Sequence, residues 1–194
     1  MDQHKLTGLM FGSFNPVHTA HLIIASHFVQ FTDIKEVWFV LSPLNPFKDK
    51  EQILDQEKRK HLLKLAIEDN PAFKLCETEL HLPIPSYTIN TLGKLAIDFP
   101  DRNFVLLMGE DNLNDFDKWK DYQDILEKVS IYVYPRGEKT SSPFLDHPKV
   151  RKIHAPRFEI SSTMIRKAFA EGKDLRYVVP DKVFRQIKSG GYYV

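Results

Sequence analysis

Short apolar runs of strand length alternate along the chain with segments in which apolar residues recur every three or four positions. The runs predict strands near Leu6–Phe11, Val37–Leu41, Phe73–Cys76, Phe104–Met108, Ile131–Tyr134 and Val150–Ile153. Between them, Leu62, Leu65 and Ala66 mark a helix that Pro71 ends, and Leu92, Leu95, Ala96 and Phe99 mark another. This alternation predicts an α/β fold, a doubly wound and mostly parallel sheet with helices on both faces. Such folds bind ligands outside the carboxyl ends of the strands, where the strand order reverses. The segments to inspect are therefore 12–21, 42–50, 77–90, 109–119, 135–148 and 154–163. The stretch "PRGEKTSSPFLDHP" reads as a long surface loop, and no repeat or linker divides residues 1–194, so one domain is expected.

Composition narrows the class without naming it. The 194 residues are 42% hydrophobic, ample for one core. Lys+Arg is 27 against Asp+Glu 26, so no overall charge points to nucleic acid or an acidic membrane surface. Runs such as "VWFVL" fall far short of a membrane span, and no signal peptide is legible at the start. The single cysteine, Cys76, excludes an internal disulfide and reads as a small buried hydrophobe on a strand. A cytoplasmic protein, with no nucleic acid or membrane partner, is the expectation; a homo-oligomer is left open.

The post-strand segments hold the chemistry. In "GSFNPVHTAH", Gly12 permits a tight turn, Asn15-Pro16 delays the helix, and His18 and His21 share one helical face near its N-terminus. That position favours anions, phosphate above all. Two satisfied structural histidines would be the default for an isolated pair, and zinc would need a third ligand that the sequence does not offer nearby. In "ISSTMIR", Ser161, Ser162 and Thr163 open a helix and Arg166 lies one turn on; together they can grip several phosphate oxygens, which one capping serine could not. Lys48 in "SPLNPFKDK", with Arg59 beyond it, could reach a phosphate or simply be solvated. Thr88 in "PSYTINTL" is expected to cap a helix whose N–H groups stay open to a small anion. In "GEDNLNDFDKW", Gly109 ends a strand, Asp111 can accept from ribose hydroxyls, and Trp119 offers a stacking face, although a core tryptophan is the default.

Two spaced phosphate grips and a stacking surface on such a sheet resemble the HxGH-type nucleotidyltransferase superfamily. More closely, the chain resembles the bacterial nicotinate mononucleotide adenylyltransferases. The matching stretches run in order over nearly the whole chain: "GSFNPVHTAH", "NPFK", "SYTINTL", "MGEDN", "FDKW", "YPRG", "ISSTMIR" and "YVVP". There are departures. The usual double glycine with Thr and Asp reads Gly12-Ser13-Phe14-Asn15, Ala20 replaces a glycine between the histidines, Phe47 stands where a histidine often precedes the loop lysine, and Glu110 replaces a small residue beside the nucleotide.

The resemblance implies a Rossmann-like nucleotidyltransferase fold whose C-terminal helical portion, about 161–194, completes the ATP site. It implies adenylyl transfer from ATP to nicotinate mononucleotide, giving nicotinate adenine dinucleotide and pyrophosphate. His18, His21 and Arg166 would be catalytic. Gly12, Ser13, Phe14, Gly109, Asp111, Ser161, Ser162 and Thr163 would join them around ATP. Asn15, Lys48, Tyr87, Thr88, Trp119 and Arg136 would hold the mononucleotide. Mg²⁺ would be carried mainly by substrate phosphates, with no protein metal cage. Rival acceptors are nicotinamide mononucleotide, pantetheine phosphate and polyol phosphates, and a rival of another class is a non-catalytic nucleotide sensor.

Overall fold

The computed structural model describes residues 5–43, 53–137 and 141–194. Six strands form one sheet in the order β3-β2-β1-β4-β5-β6. They are β1 (Leu6–Gly12), β2 (Glu36–Leu41), β3 (Phe73–Cys76), β4 (Asn103–Gly109), β5 (Ser130–Tyr134) and β6 (Val150–Lys152), and every pairing is parallel. The order reverses between β1 and β4, so the crevice above their carboxyl ends is the switch point. β2, "EVWFVL", is buried along its whole length, as a strand covered on both faces must be.

Alternation along the strands builds two cores. Met10 of β1 and Val105 and Leu107 of β4 face α1 (Thr19–Phe31), α2 (Gln56–Ile67), and the two C-terminal helices. Their neighbours Leu9, Leu106 and Met108 face α3 (Thr88–Asp98), α4 (Glu110–Leu113) and α5 (Tyr122–Lys128). The C-terminal helices are α6 (Ser162–Ala170) and α7 (Asp181–Gly190). They put Ile165, Phe169, Val183 and Ile187 into the first core.

Three expectations change. The helix predicted to end at Pro71 already stops at Ile67. The helix starting near Thr88 is capped by the backbone position of Tyr87, with Thr88 as its first residue. The 135–148 segment is not simply a surface loop. Ser142 is buried and its hydroxyl donates to the Leu113 carbonyl at 3.0 Å, while Phe144 meets Phe116 edge-on at 5.3 Å. Cys76 is a buried strand residue whose thiol burial pushes up. Among the described residues no helix is long and apolar enough to cross a membrane.

Candidate active site

β1 ends at Gly12 beneath a tight turn, but the residue in the left-handed region is Phe14, at φ 42°. Gly12 is needed for another reason: a Cβ there would stand 3.0 Å from Cζ of the Phe14 ring folded over it. The Asn15–Pro16 peptide is cis. His18, with extended backbone, is the N-cap of α1 rather than part of its face, and His21 stands in the first turn. The His18 N–H donates to Nδ1 of His21 at 3.2 Å, and the two rings stack with centroids 3.7 Å apart. A His21 Nδ1 that accepts carries its proton on Nε2.

His18 is only 4% exposed; the His21 N–H approaches its side chain in a capping-box arrangement, but no well-formed hydrogen bond reaches its Nδ1. Burial, helped by the Arg136 charge, lowers its pKa to about 4, so the ring is neutral at pH 7. Buried polar atoms are nearly always satisfied, so an orphaned one at a strand end makes His18 a candidate for a ligand contact. The two histidines line a recess of about 30 Å³ with Arg136, Tyr134, Phe158 and Ile160. That is room for little more than a water molecule, so a nucleotide would lie across its mouth.

The far wall comes from the end of β4. Gly109 again answers to close approach, since a Cβ would meet Asp111 Oδ1 at 2.5 Å and Arg136 Cδ at 2.9 Å. Asp111 faces Arg136 at 3.5 Å, and its other carboxylate oxygen is buried without a hydrogen bond. Glu110, expected beside the nucleotide, is buried and ion-paired to Lys152 at 2.7 Å and to Arg157 at 2.9 Å. It ties β4 to the end of β6 and to the segment leading into α6.

The start of α6 docks on the same corner. Ser161 is its N-cap, accepting from the Met164 N–H at 3.2 Å. Ser162 donates its hydroxyl to the Pro16 carbonyl at 3.0 Å, and Arg166 donates to the Asn15 carbonyl at 2.9 Å and to the Thr163 hydroxyl at 3.4 Å. A guanidinium has five N–H donors, so Arg166 keeps capacity for an anion. Thus the start of α6 is tied to the Asn15-Pro16 segment that leads to His18 and His21, while Thr163 and Arg166 line a separate recess with Ile53, Leu54 and Tyr193. Arg136, assigned by resemblance to the mononucleotide, lines the histidine recess. Asn15 is 2% exposed, and its carboxamide oxygen accepts from the Leu54 N–H at 3.1 Å and from the Tyr193 hydroxyl at 2.8 Å.

On the other side of the crevice, no side chain caps α3, whose N-terminus begins at Thr88. Lys120 lies 4.6 Å from the centre of the Tyr87 ring. Trp119 follows a 3₁₀ turn, leans on Phe116 at 5.6 Å and remains half-buried. Lys48 and Phe47 lie outside the described residues. Among the described residues no group of three or more His, Cys, Asp or Glu could hold a metal ion.

Arg59, named with Lys48 as a possible phosphate contact, has a structural role instead, and other supporting groups were not seen in the sequence. Arg59, 1% exposed, donates to the carbonyls of Leu54, Ser13, Ser42 and Pro43 at 2.8–2.9 Å, joining the loops after β1 and β2. Its signal was present: Arg59 shares a helical face with Leu62 and Leu63, an odd place for a solvated cation. Glu79, Lys152, Arg157 and Tyr193 carried no such signal.

The chain has known relatives. A family model described as cytidylyltransferase-like matches residues 9–168, and the chain belongs to that family. Within it, a probable nicotinate-nucleotide adenylyltransferase of Flavobacterium psychrophilum is 46% identical over 188 residues, covering 96% of this chain and 97% of that protein. One from Bacteroides fragilis, with the same description, is 43% identical over 185 residues, covering 93% and 90%. These relatives place the chain in the nicotinate-nucleotide adenylyltransferase branch. The fold matches Plasmodium falciparum nicotinic acid mononucleotide adenylyltransferase complexed with NaAD, at TM-score 0.83, 20% identity and 98% coverage of both chains.

Proposed function

We propose that the chain transfers the adenylyl group of ATP to nicotinate mononucleotide, releasing pyrophosphate and nicotinate adenine dinucleotide for NAD biosynthesis. The observation that carries this reading is the stacked histidine pair at the start of α1, one with a buried unsatisfied imidazole nitrogen, with the start of α6 hydrogen-bonded to the Asn15-Pro16 segment just before it. An oxygen of the mononucleotide phosphate attacks the α-phosphorus in line, and the bond to the β-phosphate oxygen breaks as pyrophosphate leaves. With its second pKa at about 6, that phosphate is largely dianionic at neutral pH and needs no base. Catalysis is positioning and charge stabilisation.

In this reading His18, as a neutral donor, and His21 beside it bind the ATP phosphates and follow the charge into the transition state. Arg166 and Thr163 hold the β- and γ-phosphates, with Ser161 and Ser162 fixing the helix start against Pro16. Gly12, Ser13, Phe14, Gly109 and Asp111 shape the remaining ATP wall, and Arg136 joins them beside His18. Trp119 stacks on the pyridine ring and Lys48 meets the mononucleotide, while Asn15, its carboxamide turned inward to Leu54 and Tyr193, supports the segment before His18 rather than touching the mononucleotide. The N–H groups at Tyr87-Thr88 receive the nicotinate carboxylate.

The donors around the recess, imidazole, hydroxyl and guanidinium, suit phosphate oxygens rather than a cation. They fit Mg²⁺ carried on the triphosphate, where it would neutralise phosphate charge, and no side chain is assigned to it. Residues 1–194 serve as one nucleotidyltransferase domain, cytoplasmic, with residues from about 161 onward completing the ATP site. A pyrophosphate-release assay with ATP and each acceptor tests the proposal. Nicotinate mononucleotide should give the highest kcat/KM. Comparable values for the acid and the amide would remove the role of the α3 N-terminus, and silence with every mononucleotide would favour a sensor.

A further inference from the structure

We infer that Glu79 is a positioning residue for the acceptor side of the crevice: bridging Ser42 and Ser86, it fixes the N-terminus of α3 against the end of β2. The inference rests on the functional reading above, because it concerns where that reading places the nicotinate carboxylate.

Glu79 sits in a 3₁₀ turn, Thr78–His81, just after β3, and is 4% exposed. One carboxylate oxygen accepts the Ser42 hydroxyl at 2.8 Å and the other accepts the Ser86 hydroxyl at 2.7 Å. Among the described residues no cation pairs with it. Burial without a counter-charge pushes its pKa up, partly offset by the two hydroxyls. Both ends of the bridge matter. Ser42 follows β2 directly, its N–H donates to the Gly12 carbonyl at 2.9 Å, and its carbonyl receives Arg59 at 2.8 Å. Ser86 is buried and adjoins Tyr87, the N-cap of α3.

Between the two ends, Pro83, Ile84 and Pro85 are exposed. The hydrogen bond to Ser86 therefore closes a loop that has little packing of its own, and its loss would free the start of α3 to shift. A carboxylate suits this place because it accepts at both ends and so orients both hydroxyls. A binding group misplaced by a fraction of an ångström loses much of its value, while groups on other loops keep theirs.

The test is steady-state kinetics of pyrophosphate release, with ATP and nicotinate mononucleotide varied separately. Glu79→Ala should raise KM for the mononucleotide about tenfold, while KM for ATP stays within about twofold. KM does not depend on the fraction of folded enzyme, so mere destabilisation would not produce this split. Glu79→Gln, which can accept from one serine and donate to the other, should bring the mononucleotide KM back to within about threefold of wild type. Ser86→Ala should raise the same KM by about threefold or more, and it stands in if Glu79→Ala does not fold. An unchanged mononucleotide KM in the Ala variants, or an equal rise in both KM values, would overturn the inference. If the wild type transferred to no mononucleotide, the functional reading would fail first and take the inference with it. A working wild type without the split would sink the inference alone.

Discussion

Glu36, at the start of β2, and His18, just past the end of β1, are buried to similar depth, at 2% and 4% exposure. They stand at opposite ends of the same sheet and are surrounded in opposite ways. Glu36 accepts from Lys5 at 2.6 Å, from the Trp38 indole at 3.0 Å and from Thr7 at 3.3 Å, and pairs with Arg102. Burial works against its charge, but the Lys5 hydrogen bond, the Arg102 charge and the other donors hold its carboxyl below the usual range. His18 has neither counter-charge nor partner at Nδ1, and Arg136 beside it only disfavours protonation. The amino end of the sheet closes its polar account. The carboxyl end leaves capacity unspent, which is how a site differs from a structural cluster.

The difference can be broken from either end. His18→Ala should lower kcat by about 10²–10³, the cost of removing one donor aimed at developing charge, while circular dichroism and Tm stay near wild type. Wild-type turnover would refute its role. Glu36→Ala should do the reverse. Losing a buried acceptor that serves Lys5, Arg102 and Trp38 should cost about 3 kcal/mol in urea unfolding, at the low end for a broken buried pair because Lys5 is half-exposed. Both KM values should stay put, and a change in either would link the two ends of the sheet.

The smallest effect sharpens the contrast through pH. His18 binds its proton more weakly folded than unfolded, so the unfolded chain holds more protons between about pH 6.5 and 4. Stability should therefore fall as pH drops through that window, by about 2 kcal/mol between pH 7 and 5 from this group. His18→Asn should remove that portion of the slope in urea denaturation at the two pH values. Equal slopes in wild type and variant would mean that His18 is not neutralised by its surroundings.

The fold was legible because its signals are local. Apolar runs such as β1, β2 and β4 are hard to read as anything but buried parallel strands, and all six predicted strands, including the short β3 and β6 with their exposed Lys74, Arg151 and Lys152, appear within one residue at each end. The histidine pair and "ISSTMIR" stood out for a similar reason, as polar residues at the starts of helices. Arg59 was half-legible, a cation on an apolar helical face. Glu79 and Tyr193 were not, since a glutamate in "ETELH" and a tyrosine in "GGYYV" look like any surface residue until their partners, 37 and 178 positions away, are known.

What the sequence determined by itself was the order of strands and helices, the polar residues at their junctions, and through family resemblance the reaction. Periodicity and residue type carry that information because each acts within a few residues. Tertiary structure alone decided which hydrogen bonds are spent. It turned Asn15 inward, paired Glu110 with Lys152 and Arg157, gave Ser162 to Pro16 and left His18 Nδ1 without a partner. Those outcomes depend on chain segments brought together by the parallel sheet, and no local pattern encodes a contact made across it.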